Sequence, residues 1–210
     1  MTVDEFWESF KKHYNIDKSR KYIECFHFDL TEEWANKLLE LVMSGKKKAT
    51  ASSLYHYELT GGRLPQVNDY NIVTDWDGNP HCVIRTTEVT ILPFNEITFD
   101  ICKREGEDEN LESWQQGHRH FFTEDGKEMG YEFSETMPVV FEDFDVMFKL
   151  IDGDVDYDFL YKKHVDIYLN DDETWEDSDD YFNPMAEAIF RDSNPWGMTL
   201  DELFDEDDDE

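Results

Sequence analysis

From Val3 to Tyr14 the large apolar side chains recur at helical spacing. Phe6, Trp7, Phe10 and Tyr14 share one side, which predicts an amphipathic helix. Tyr22 to Phe28 reads as a short buried strand. Thr31 is placed to N-cap a second helix with Glu32 and Glu33 in its first turn, where acids meet the positive end of the helix dipole. Its expected apolar face is Trp34, Leu38, Leu39, Leu41 and Val42, and Gly45 is expected to end it. Beyond Gly45 the period changes to that of strands. Ala49–Ser53 is small and β-compatible. Leu64–Asp69 is a turn leading into a strand over Tyr70–Trp76. Asp77-Gly78 is a hairpin signal, and a long partner strand covers Cys82–Leu92. Helical segments follow near Phe94–Lys103 and Leu111–Phe122, then a last strand over Val139–Phe148. Strands with inserted helices, and no repeating βαβ unit, predict an α+β fold, here a β-barrel with helices between its strands.

Composition divides the chain. Residues 1–150 hold 29 acidic and 16 basic residues, a net of −13; residues 151–210 hold 22 and 3, a net of −19. The first part is expected to be the folded domain. The second is an acidic extension with solvated charge runs, short helices over 157–169 and 185–191, and a disordered end at Asp205–Glu210. A field of this sign repels a phosphate backbone, so bulk duplex DNA is excluded as a partner, while a small ligand or short RNA in a local site is not. No apolar run reaches the ~20 residues a membrane helix needs. The acidic start lacks the basic and apolar regions of a signal peptide, and Cys25, Cys82 and Cys102 form no C-x-x-C pair. Both point to the cytoplasm and to three reduced thiols used in packing.

Two charged clusters are the candidates for chemistry. Lys46-Lys47-Lys48 lies where a helix gives way to a strand. These lysines either complement a helix C-terminus or send one side chain into a pocket, where burial lowers its pKa towards base chemistry. Thr50, three residues on, offers a hydroxyl nucleophile. Glu105-Gly106-Glu107-Asp108-Glu109 either complements the next helix N-terminus or turns one carboxylate inward as a lysine partner or proton donor. Arg85, on an otherwise apolar strand, needs a partner, in Glu107 or in a ligand. Trp114 and Tyr70 are either base-stacking surfaces or core residues.

These segments resemble the ASCH family in order and spacing. Gly45-x-Lys47-x-x-Thr50 is similar to its G-x-K-x-x-T motif, and Leu64-Pro65-x-x-Asn68-Asp69 to its P-x-x-G-D turn. Ile84–Val89 resembles its central strand. Glu105-Gly106-Glu107 with Leu111, Trp114 and His118 resembles its E-G-x-G-D, L-x-x-W and H positions, and Phe133–Pro138 leads into the last strand as in the family. The likeness covers residues 1–150 and implies a PUA-like barrel that binds RNA or nucleosides. The short bacterial branch deacetylates N4-acetylcytidine, while this chain is closer to a longer branch, and other members are linked to RNA binding or cleavage. The likeness implies Lys47 as base, Thr50 as nucleophile and Glu107 as proton donor. The residues themselves make Lys46, Lys48, Arg85 and Trp114 further candidate ligand contacts, and no cofactor is expected. Two positions depart from the pattern. Asn68 replaces a glycine, and Asp108-Glu109 replaces a glycine and an aspartate.

The functional expectations are therefore an amidohydrolase acting on a modified nucleoside, or an RNA-binding or ribonucleolytic module. A third is an acidic extension that recruits a basic protein. Asp152-x-Asp154-x-Asp156 begins like a calcium loop, but Tyr157 stands where glycine is needed and Lys163 where glutamate is needed. His118 and His120 would face different sides of a helix, so no metal site is expected.

Overall fold

The computed structural model describes residues 1–160, 162 and 163. The expected helix over 185–191 and the acidic end of the chain lie outside the described residues. Helix α1 (Val3–His13) starts at Thr2, whose side chain and that of Glu5 cap each other's backbone N–H groups. Its apolar stripe, Phe6, Trp7 and Phe10, is fully buried against Ile72, Val83 and Phe148. Thr31 caps α2 (Glu32–Met43) as expected. The buried face of α2 is Ala35, Leu38, Leu39 and Val42, a strict i, i+3, i+4, i+7 stripe. Trp34 falls outside that stripe and is 45% exposed, a correction to the expected apolar face.

Five strands form one continuous path: β1 (Cys25–Phe26), β3 (Tyr70–Thr74), β4 (Pro80–Pro93), β5 (Pro138–Ile151) and β2 (Ala49–Ser53). A sixth, β6 (Asp154–Val155), pairs with the end of β5. The sheet is mixed, because β1 runs parallel to β3 while the other pairs are antiparallel. The expected barrel is not closed. Only Cys25 and Phe26 of β1 pair with β3, and no ladder joins β1 to β2. The gap between these two edges is the opening that the site described below occupies.

β4 and β5 are long and bent together. Their register slips between Thr86 and Glu88, where Thr87 is the additional residue of a bulge. On one side of the bulge β5 pairs with β2; on the other, β4 pairs with β3. Helix α5 (Leu111–Met129) and the short α4 (Phe99–Cys102) cover the β2 half, where Phe94, Trp114, Phe122 and Phe141 form a core. Helix α3 (Leu54–Thr60) follows β2 directly. The Asp77-Gly78 turn is present, with Gly78 at φ +83°. Asn68 holds φ +71°, so this asparagine supplies the left-handed turn that a glycine would otherwise make.

Packing continues past residue 150. Asp152 and Gly153, both at positive φ, make a hairpin turn in place of a calcium loop. Residues 157–160 are helical, and Leu160 is buried with Phe6 and Phe148. Cys82 and Cys102 are buried packing residues, whereas Cys25 is exposed, against expectation.

Candidate active site

Helix α2 hands the chain to β2 through a turn that aims one lysine inward. Gly45 takes φ +76°, and the N–H groups of Lys46 and Lys47 both donate to the Leu41 carbonyl, at 2.9 and 3.0 Å. The Lys48 N–H then donates to the Arg104 carbonyl at 2.9 Å, pinning this turn to the one that carries Glu105. The fit is close enough to demand a glycine. Gly106 has φ +68°, and a Cβ there would lie 2.4 Å from the Lys46 carbonyl oxygen. The two turns thus dock backbone to backbone, and Lys47 enters between Glu105 and Glu107.

Lys47 is 1% exposed, and its ammonium donates to Oε1 of Glu107 and, at 3.4 Å, to Oε1 of Glu105. It also lies 5.1 Å from the centre of the Phe28 ring. Glu105 is equally buried. Its Oε2 accepts from the Trp114 indole N–H and lies 3.4 Å from Nε2 of His118. His118 Nδ1 donates to the Trp114 carbonyl at 3.0 Å. A carbonyl at one nitrogen and a carboxylate near the other both favour the doubly protonated ring.

Burial would pull the His118 pKa down, but Glu105 outweighs it and the net direction is up. Burial would raise Glu105, yet Lys47 and His118 hold it well below the usual carboxylate range. Glu107 goes the other way: burial raises it, Lys47 opposes, and the charge of Glu105 adds to the rise. Lys47 itself keeps its proton, because the two carboxylates overcome the effect of burial. That reverses the expectation that burial would make it a low-pKa base.

Lys47, Glu105, Glu107, His118 and Thr50 all line one cavity of about 520 Å³, a size that suits a small ligand. Phe28 and Leu38 supply apolar wall, and Trp34 stands exposed at the same cavity. A second hollow of about 270 Å³ adjoins it, sharing Thr50, Ala51 and Phe28; it runs between Phe26, on one sheet edge, and Ser52 and Ser53, on the other. Lys47, Thr50 and Glu107 are therefore brought together, and the remaining expected contacts are not. Lys46 and Lys48 are exposed and line neither hollow. Arg85 is paired with Asp145 at 3.5 Å, away from both. Trp114 is fully buried, stacked between Phe94 and His118, and supports Glu105 from beneath. Tyr70 packs against Phe10 and Trp7. Among the described residues no group of His, Cys, Asp or Glu is placed to hold a metal ion, and no helix is long and apolar enough to cross a membrane.

The model of the ASCH domain matches residues 24–148. The chain belongs to the ASCH family. Two solved structures share the fold just described. An ASCH domain from Lactobacillus crispatus JV V101 is 33% identical, covering 68% of this chain and 92% of that one, with a TM-score of 0.62. Protein EF3133 from Enterococcus faecalis V583 is 27% identical over 84% of this chain and 98% of its own, with a TM-score of 0.64. No curated protein matches the sequence.

Within this ASCH domain, three cavity residues escaped the sequence reading as site residues. Trp34 was hidden by its place in an apolar helix, though its offset from the 35-38-39-42 stripe marks it as outward-facing. His118 read as packing, and four-residue spacing from Trp114 is the signal that the two share a helix face. Glu142, on the wall of the second hollow, shares its strand with Asp143 and Asp145, so the sequence alone does not single it out.

Proposed function

We propose that this ASCH domain is an amidohydrolase acting on a small modified nucleoside, of which N4-acetylcytidine is the model substrate. The observation that carries the reading is the buried Lys47–Glu107 pair on the wall that also holds Thr50. The Thr50 oxygen attacks the acetyl carbonyl as a neighbouring base takes its proton, and Glu107, whose carboxyl is shifted towards its protonated form, gives its proton to the departing exocyclic amine. The acyl-threonine is then released by water. Lys47 places positive charge beside the developing oxyanion; to act as the base that the family likeness implies, it must first hand its proton to Glu107. Trp34 offers an exposed ring on which a base can stack.

What favours a small uncharged ligand over an RNA strand is the lining. The described lysine and arginine of the two hollows, Lys47 and Arg63, are each already held by carboxylates, Lys47 by Glu105 and Glu107 and Arg63 by Asp69 at 2.7 Å, and His118 lies against Glu105. Around them stand Asp29, Asp108, Glu124 and Glu128, which oppose a phosphate. The test is incubation with N4-acetylcytidine, with cytidine and acetate followed by mass spectrometry. Turnover that disappears in Thr50→Ala and falls about 10²–10⁴-fold in Glu107→Gln is expected. Unchanged substrate at micromolar enzyme would sink the reading.

A further inference from the structure

Thr50 has a second neighbour besides the Lys47 wall. In the β2–β5 ladder Thr50 is directly opposite Glu142, and residues opposed in an antiparallel pair project from the same face with Cβ atoms about 5 Å apart. Glu142 is 8% exposed, lines the second hollow together with Thr50, and accepts a 2.5 Å hydrogen bond from the Thr86 hydroxyl. A carboxylate buried in a strand is costly unless it has a task or a full set of partners. No salt bridge reaches this one among the described residues.

We propose that Glu142 is the group that takes the hydroxyl proton of Thr50. The inference rests on the amidohydrolase reading above and revises who does what within it. The Thr50 oxygen bonds to the acetyl carbon as its proton passes to the Glu142 carboxylate. The carbon–nitrogen bond breaks as Glu107 protonates the nitrogen. In the second half water attacks the acyl-threonine. Its proton goes to the Glu107 carboxylate, and Glu142 returns a proton to the threonine oxygen. Acetic acid leaves, and every group ends as it began. Lys47 stays charged throughout, which agrees with its two carboxylate partners.

The surroundings make this carboxylate a stronger base than an exposed one. Burial raises the Glu142 carboxyl, and the charges of Asp69, Glu24 and Asp143 add to this; the Thr86 bond alone among the main influences holds it down. Asp69 is itself held by Arg63, Asp143 by Arg104 at 3.0 Å, and the Tyr57 hydroxyl, raised by burial, is neutral. His56 also lines this hollow.

The experiment is the pH profile of kcat/KM for N4-acetylcytidine in the wild-type chain, Glu142→Gln and Thr86→Val, with thermal unfolding of each as the control. Glutamine keeps an acceptor for Thr86, so folding is retained. The proposal expects Glu142→Gln to lose about 10²–10⁴-fold and to lose the acid limb, which requires an ionised Glu142. It expects Thr86→Val to move that limb to higher pH, because the bond favouring the ionised form is gone; a purely structural role would leave the limb in place. A wild-type enzyme that turns over while Glu142→Gln stays within threefold, or an acid limb unmoved in Thr86→Val, overturns the role of Glu142 and leaves the amidohydrolase reading standing. A wild-type chain with no turnover overturns both.

Discussion

Glu105 and Glu107 grip the same ammonium, yet their carboxyl groups are driven in opposite directions. Glu105 has Lys47, His118 and the Trp114 N–H around it and is held ionised. Glu107 is left with a share of Lys47 and with Glu105 as a like charge beside it. Environments that split two neighbouring carboxyls in this way assign one to structure and the other to proton transfer. Glu105→Ala is accordingly expected to cost about 3–5 kcal/mol, because it strands buried positive charge. Glu107→Gln, which leaves Lys47 with Glu105, is expected to change stability far less while removing turnover. Urea denaturation of both variants checks the contrast.

The upward shift that Glu105 imposes on His118 gives the domain a pH signature. A group raised on folding contributes its stability fully below its unfolded value, near 6.5, and loses it as pH rises through the folded value. Wild type should therefore exceed His118→Gln in Tm most clearly at about pH 6, with the gap closing in alkali. Glu105, lowered on folding, gives the mirror image: its contribution is full above its ordinary value and fades as acid reaches its lowered one. Melting curves across pH 3–10 would show both limbs, and a gap independent of pH would contradict the assignment.

Gly106 has no room for a side chain. Alanine there meets both the positive φ and the Lys46 carbonyl at 2.4 Å. The backbone strain alone is worth about 1–3 kcal/mol. A Tm fall of roughly 4 °C or more is expected, at the usual few degrees per kcal/mol for a domain of this size. Turnover should fall with it, since parting the two turns withdraws Lys47 from Glu107.

Lys46 and Lys48 point into solvent and away from the hollows. The double variant Lys46→Ala, Lys48→Ala should leave nucleoside turnover within about twofold. If instead the domain holds RNA there, short RNA should bind at low salt, and the double variant should flatten the salt dependence by roughly two phosphate contacts. Titration at several salt concentrations separates these outcomes.

Much of the fold was legible because periodicity and caps are local. Thr31 begins a helix, Gly45 and the Asp77-Gly78 turn end elements, and the two long strands lie over the stretches that read as strands. What was not legible depends on residues distant in sequence. Whether β1 meets β2 is decided by two short edges, and the pattern within each cannot show the gap between them. Of the site, Lys47 and Glu107 were visible as charges next to glycines. The sign of the Lys47 shift was not, since it follows from two carboxylates roughly 60 positions away in the chain. Glu142 escaped for the same reason: its bearing on Thr50 comes from strand register alone.

Strand β5 passes through both halves of the molecule, first beside Thr50 and then beneath α1, with the Thr86–Glu88 bulge of β4 marking the changeover. No single cut before the end of β5 can therefore yield a self-standing piece containing the cavity. Fragments split within residues 1–151 would each lack half of their packing, so this part of the polypeptide must mature as one indivisible unit. Amide protons from Phe141 to Phe148 should be the last to exchange, released only when the whole domain opens.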